Sequence, residues 1–461
     1  MSSSPPGRAA TPPWPTRPRT TLASALACAL VFALVALVQL PLVLNPGYFS
    51  HDELQWAVYA AEGRRFDWTA THLFQYRPLT FSLWSWLSAS LFDTPRAFHA
   101  VLVAGGALNA ALACLLARRL GAAPWPALAG AVIFGIGPQA MYVHGWIGTI
   151  GDVLWVGLGL AAALVASSRR WPAVAMAGLA GLLVLLALLA KEAAVSIAPL
   201  LGLAAWLATA PGSDERKRWW IAAAAAAAVT AAWLAWRLDA IVGADPQPGT
   251  AYVLATAHVP VRWLEQQLFL FDPGLGEVHQ VLAGGFGKRA LFASLVWLAV
   301  VTALARAGWR WPVVFVLGGS VALAPALPLA SGANQYGYGF ACVTTLAAAC
   351  AWPRLPGWGR AVLLFAALLV AWHGVDVMHL VRNVGERQAR FSPAVADTLR
   401  ERDGVLRLAI GDENDTWIYR RLTHEIPRYD GVVFGDRVRI VAPGEPADRV
   451  VREDGSLAPV P

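Results

Sequence analysis

Long runs of apolar residues, broken by short polar stretches, occupy most of the chain up to about residue 382. A bilayer core of about 30 Å needs about 20 apolar residues in a helix, because each backbone polar group must find its partner within the segment. On that basis the pattern predicts eleven spans, at about 22–44, 97–117, 124–143, 152–168, 172–190, 193–210, 219–238, 290–305, 311–329, 339–352 and 361–381. The predicted class is an all-α polytopic membrane protein. The run 22–44 follows Arg8, Arg17 and Arg19 but is long for a signal peptide and lacks a clear small-residue cleavage site. It reads as a retained first span behind a cytoplasmic tail of residues 1–21.

Basic residues test the count independently, since short cytoplasmic loops carry the Lys and Arg excess. With the N-terminus inside, Arg118 and Arg119, Arg169 and Arg170, Arg216 to Arg218, Arg306 and Arg310, and Arg354 and Arg360 all fall in predicted inner loops. The domain plan is then a transmembrane unit, 22–381, with long outer loops at 45–96 and 239–289, and an extracytoplasmic segment, 382–461. That last segment turns polar, with Ser392 and Pro393 as a helix start, then VLRLAI, a helical WIYRRL and VVFGDRVRIV. It reads as a small C-terminal α/β appendage.

Composition agrees. Only 14% of residues are charged and 57% are hydrophobic, against roughly 25% charged in a soluble domain, so a cytosolic globular fold and disorder are both excluded. The surplus of 36 basic over 29 acidic residues is too dilute to make a nucleic-acid face. Cys28, Cys114, Cys342 and Cys350 lie in apolar runs with no metal or disulfide spacing. His51, His72, His99 and His144 form no metal pattern either, and read as satisfied or interfacial histidines.

Candidate chemistry concentrates on the outer side. Asp52 and Glu53 stand just beyond the first span, in PGYFSHDELQWAVYAAEGRRFDW. Adjacent carboxylates at a low-dielectric boundary disfavour each other's ionised form, which suits a general base. The same pair also suits a helix N-terminus, Asp as cap and Glu after it, and on local signal alone that is the commoner arrangement. In FQYRPLTFSLWSWLSASLF, Tyr76, Trp84 and Trp86 suit a helix at the headgroup level, with Arg77 either an anchor or a clamp on a lipid-linked phosphate. Lys191 and Glu192 interrupt LLALLAKEAAVSIAPLL as an outer turn or a phosphate contact, a charge within the membrane costing about 2.5–3.5 kcal/mol. Asp152 in HGWIGTIGDVLW, and Gln335 and Tyr336 in NQYGYG, are further polar points on that face.

Taken in order, these segments resemble the GT-C glycosyltransferase superfamily. DELQWAVYAAEGRRFDW is similar to the DE-containing first outer loop of the protein O-mannosyltransferases and aminoarabinose transferases. YRPLTFSLWSWLSASLF and FHAVLVAGGALNAALACLLARRLG are similar to the TMTC branch, although the tetratricopeptide tail of that branch is missing. The resemblance covers about residues 46–210 well and 330–350 more faintly. It implies a GT-C-like fold and a polyprenyl-phosphate-linked sugar donor. Asp52 then matches the acidic residue proposed as base, Glu53 its neighbour near the acceptor, and Arg77 and Lys191 contacts to the donor phosphate. No obligatory metal is expected, though some members of the superfamily use a divalent ion.

A polyprenyl phosphate already leaves well, so such an enzyme mainly removes a proton from the acceptor and stabilises charge on the departing phosphate. Single displacement predicts inversion at the anomeric carbon. The resemblance leaves the acceptor open among protein, lipid and polysaccharide, and suits a bacterial inner membrane. Two rivals remain: a transporter or lipid flippase, which calls for midplane charges or broken helices and two related halves, none of them apparent in the sequence, and a non-catalytic scaffold.

Overall fold

The computed structural model describes residues 22–209, 211–243, 254–330, 332–412, 415–423 and 425–460. The tail 1–21 lies outside the described residues, as does 244–253 within the loop 239–289. α1 (Leu22–Val38) and the short α2 (Leu40–Val43) lead to α3 (His51–Ala61) and α4 (Pro78–Leu91) in the first long loop. The bundle continues with α5 (Pro95–Arg119), α6 (Pro124–Ile136), α7 (Pro138–His144), α8 (Ile150–Ser167), α9 (Ala173–Ala190), α10 (Ile197–Leu207) and α11 (Asp214–Val242). After α12 (Val259–Phe269) and α13 (Lys288–Ala307), α14 (Arg310–Val313) passes through a π-helical turn into α15 (Gly319–Leu323). α16 (Tyr338–Ala351) and α17 (Gly357–Arg400) complete it. Proline opens α4, α5, α6, α7 and α12, where its missing N–H is harmless because first-turn donors have no helical partner.

Each of the eleven predicted segments contains a helix. Six helices are long and apolar enough to cross a membrane: 95–119, 147–167, 173–190, 214–241, 288–307 and 357–400. The pair α6 and α7, bent by 56°, makes a seventh if taken as one span. The apolar helices 23–38, 192–207 and 310–323, and the 14-residue α16, fall short of that length. Length and composition therefore support an integral membrane protein in which six of the described helices, or seven with the bent pair taken as one span, are long enough to cross; they do not establish the count of eleven. The basic clusters meet at one end of the bundle: Arg218 Nη1 donates to the Trp171 carbonyl at 2.9 Å, Arg310 Nη1 to the Leu207 carbonyl at 3.2 Å, and Arg354 lies over the Trp311 ring at 5.8 Å. The four cysteines are free thiols.

The break between α6 and α7 corrects the expectation of uninterrupted spans. Pro138 cannot donate to the preceding turn, and the freed Gly135 carbonyl accepts from Gln39 Nε2 at 2.6 Å. Gln39 also contacts His144 Nδ1 at 2.9 Å, His144 Nε2 meets the Tyr338 hydroxyl at 3.0 Å, and Asn109 Nδ2 donates to that hydroxyl and to the Val153 carbonyl. This chain of buried partners satisfies the backbone that the bend exposes, which a lipid environment demands. α17 crosses at the same level because Gly374 has no side chain: a Cβ there would collide with the Ile136 carbonyl.

α17 runs for 44 residues without interruption, with Pro393 inside it. The helix start expected at Ser392 and Pro393 is thus corrected, and the division expected at 381/382 falls within one helix. A proline inside a helix costs about 3 kcal/mol; burial of Phe391 and Val395, both 0% exposed, offsets this at about 1.5–3 kcal/mol each. Beyond it lie β1 (Leu406–Ile410), α18 (Thr416–Arg421), β2 (Arg428–Tyr429), β3 (Val432–Val433), β4 (Val438–Ile440), β5 (Arg449–Val451) and β6 (Leu457–Pro459). The main sheet has the order β4-β1-β5-β6, with β1 parallel to both neighbours and β5 antiparallel to β6. α18 docks on α17 through Phe391 against Tyr419, ring centroids 4.9 Å apart, and through Arg387 paired with Asp415, the α18 N-cap, at 2.7 Å.

Candidate functional site

α3 begins at a capping box that separates the two acids. Ser50, extended at φ −150° and ψ 170°, is the N-cap; its hydroxyl accepts from the Asp52 amide, and its own amide donates to Glu53 Oε2 at 3.1 Å. The second oxygen of Glu53 accepts from the Ile147 amide at 3.1 Å. Glu53 is thus completely buried and ties the start of α3 to the turn before α8. Burial, and then the neighbouring Asp52 charge, push its carboxyl up to about 8. The cap is Ser50 and not Asp52, which corrects one of the two readings of the acid pair.

Asp52 carries no such tether. Its side chain is 16% exposed and lies 3.6 Å from His51 Nε2, with Ser50 Oγ at 3.3 Å. Gly148 faces it closely: a Cβ there would stand 2.5 Å from Asp52 Oδ2 and would also strike the Trp146 ring. Of the two acids, Asp52 is the one a substrate can reach.

A second cluster forms where α8, the end of α9 and the start of α4 meet. Lys191 Nζ pairs with Asp152 Oδ2, and Trp155 Nε1 donates to Asp152 Oδ1 at 3.2 Å. Arg77 Nε donates to Glu192 Oε2 at 2.8 Å, and Lys191 lies over the Tyr336 ring at 5.6 Å. Thr80 Oγ1 donates to the Ala190 carbonyl at 2.7 Å, closing α4 on the end of α9. The two clusters share one short segment. Ile147 binds Glu53, Gly148 faces Asp52, and Asp152 follows four residues later, about 6 Å further along a helix. Asp52 and Glu53 therefore sit together, as do Arg77, Lys191, Glu192, Asp152 and Tyr336. Gln335 adjoins Tyr336 with its Oε1 buried.

Tyr76 is not in this group. Its hydroxyl donates to the Trp68 carbonyl at 2.9 Å and its ring packs on Trp236 and under Arg237. Tyr76 and Trp84 are 4% and 6% exposed, so both pack inside the bundle, while Trp86, Ala89 and Ser90 of α4 are turned outward. Lys191, expected at an outer turn or as a phosphate contact, is bound to the Asp152 carboxylate.

Two arginines escaped the sequence reading. Arg237, 1% exposed near the end of α11, donates to the carbonyls of Thr71, Leu73 and Phe74 and so fixes the loop that delivers Arg77. A lone arginine within an apolar span is costly enough to have signalled it. Arg421, at the end of α18, reaches back to the start of α3, 4.5 Å from the Phe49 ring and 4.4 Å from the Trp146 ring. Among the described residues, no three His, Cys, Asp or Glu side chains gather as a metal site would require.

Near the second cluster lies an apolar cleft with a cavity volume of about 160 Å³. Trp155 and Gly339 line its upper end and Trp219, Arg310 and Trp311 its lower end, toward the basic end of the bundle. Trp155, which also holds Asp152, joins the cleft to the charged residues of that cluster, none of which lines it.

No family model matches the chain, and no curated protein matches it. Among solved structures it is similar to the Archaeoglobus fulgidus oligosaccharyltransferase, crystallised with a tethered acceptor peptide containing the NVT sequon, at 14% identity and a TM-score of 0.43. That match covers 86% of this chain and 63% of the other, so the chain spans less than two thirds of that protein's length.

Proposed function

We propose that the chain is an integral-membrane glycosyltransferase that moves a sugar from a polyprenyl-phosphate donor to an extracytoplasmic acceptor, with Asp52 as general base. The observation that carries this reading is the division of labour in the acid pair. Glu53 is held by two backbone amides, while Asp52 stays accessible against Gly148, four residues before the Asp152 that pairs with Lys191, and Trp155 joins that cluster to an apolar cleft. In this reading the isoprenoid tail lies in the cleft and the donor phosphate meets Lys191 and Arg77, which exchange part of their contact with Asp152 and Glu192 for phosphate oxygens. Asp52 takes the acceptor proton as the acceptor attacks the anomeric carbon from the face opposite the phosphate, inverting it. No step in this reading is routed through a metal. In this reading the basic end of the bundle faces the cytoplasm, as the charge rule favours, and the acid pair and the C-terminal sheet lie outside.

Purified protein given a panel of polyprenyl phosphate sugars is expected to release polyprenyl phosphate, and Asp52→Asn is expected to abolish release while the protein stays folded. Release undiminished by that change would remove Asp52 from the mechanism. The second reading, a transporter or flippase, gains support from the α6–α7 break, beside which Gln139 keeps both amide atoms buried with no partner among the described residues. Lipid or solute movement in proteoliposomes, without any glycosyl transfer, would favour it.

A further inference from the structure

The Arg421 guanidinium is the cation beside the acid pair with an unused hydrogen-bonding edge. Its Nε and Nη2 are both buried and find no partner among the described residues, whereas Lys191 and Arg77 are engaged by Asp152 and Glu192. Those two nitrogens form the side-on edge of the guanidinium, whose parallel N–H bonds match two oxygens of a phosphate or carboxylate. The plane of the group is fixed by its aromatic neighbours: Phe49 lies on one side and Trp146 also packs within cation–π range, and the Tyr142 phenol takes a further hydrogen bond from it. Phe49 and Trp146 immediately precede Ser50 and Ile147, whose amides hold Glu53. The arginine therefore sits over the clamp that sets the position of Asp52. A cation taken out of water with two donors unmet is costly unless a ligand completes it, and rigid placement means little is lost on binding.

We infer that Arg421 is an oxyanion-binding residue of the active site, its Nε–Nη2 edge taking two oxygens of the donor's phosphate group. This rests on the glycosyltransferase reading for the source of the phosphate, but not for the site itself. A residue of the C-terminal domain then completes a site otherwise built from the membrane bundle.

The test is calorimetric binding to the detergent-purified full chain, with farnesyl phosphate, farnesol and inorganic phosphate as probes. Arg421→Ala is expected to weaken farnesyl phosphate binding at least tenfold and leave farnesol binding unchanged. Arg421→Lys keeps the charge but not the two-pronged edge and is expected to bind farnesyl phosphate at least threefold more weakly than the unaltered chain; it carries the test if the alanine variant elutes aggregated. Equal farnesyl phosphate affinity in the unaltered chain and either folded variant overturns the inference and leaves the glycosyltransferase reading standing. Arg421-dependent binding of inorganic phosphate without any farnesyl phosphate binding keeps the oxyanion site but removes its lipid source, and with it that reading. If the unaltered chain binds neither phosphate, both fall.

Discussion

Replacing Glu53 with glutamine separates the structural acid from the chemical one. Two amide donors, from Ser50 and Ile147, point at its two oxygens at 3.1 Å each. A glutamine offers one oxygen and one NH₂, so one amide must face another donor inside a site with no exposure. Leaving a buried donor unmet costs about 1–3 kcal/mol, which raises local opening of the turn at Ile147 by about 5- to 150-fold. Hydrogen exchange of a peptide spanning residues 144–150 reads this directly. The pH dependence adds an independent sign. Since the folded carboxyl titrates near 8 against a reference of 4.5, the folded state holds a proton that the unfolded chain has released between those values. Stability contributed by Glu53 is thus fully present below about pH 4.5, declines as pH rises, and levels off above about pH 8. At about 1.4 kcal/mol per decade of pH, the loss is bounded at about 5 kcal/mol. The glutamine variant lacks this slope. Unchanged exchange at Ile147 together with an unchanged pH slope in Glu53→Gln would refute the clamp.

Other expectations follow from the same geometry. Gly148→Ala puts a methyl against Asp52 and the Trp146 ring, so overpacking is expected to cost about 1–3 kcal/mol and to lower turnover, read by thermal melting and polyprenyl phosphate release. Asp152→Asn strips the buried Lys191 of its counter-charge and is expected to destabilise by about 3–5 kcal/mol; a melting temperature matching the unaltered chain would contradict the pairing. Arg237→Met leaves the carbonyls of Thr71, Leu73 and Phe74 without their donor, and is expected to loosen 71–77 in hydrogen exchange and weaken donor binding through Arg77 while leaving exchange at α3 unaltered.

The sequence made the helical bundle legible because apolar runs and basic breaks are local signals. The span count is not carried by helix length alone, because several of those runs fold as helices shorter than a straight crossing requires, as in 310–323. The acid pair was visible, but its division was not: Glu53 meets Ile147 across 94 positions, and nothing in DELQW announces which acid is tethered. The Ser50 cap was readable in principle from its spacing to Glu53. Pro393 misled because a proline after a serine normally opens a helix, and only the burial of Phe391 and Val395 beneath a distant sheet carries the helix through it. Arg421 had no local signal at all, since its surroundings are Phe49 and Trp146, brought to it by tertiary packing alone.

The uninterrupted α17 has a mechanical consequence. Its 44 residues make a rod of about 66 Å; a bilayer core would take roughly 30 Å of it, leaving about 36 Å, to the side of which α18 docks at Arg387 and Phe391. Leaning that rod by about 5° sweeps the tip through about 3 Å, comparable to the reach of one hydrogen bond. Because a helix can answer a change in membrane thickness by leaning, within what its packing allows, the alignment of α18 over α3 is expected to respond to the lipid around the protein.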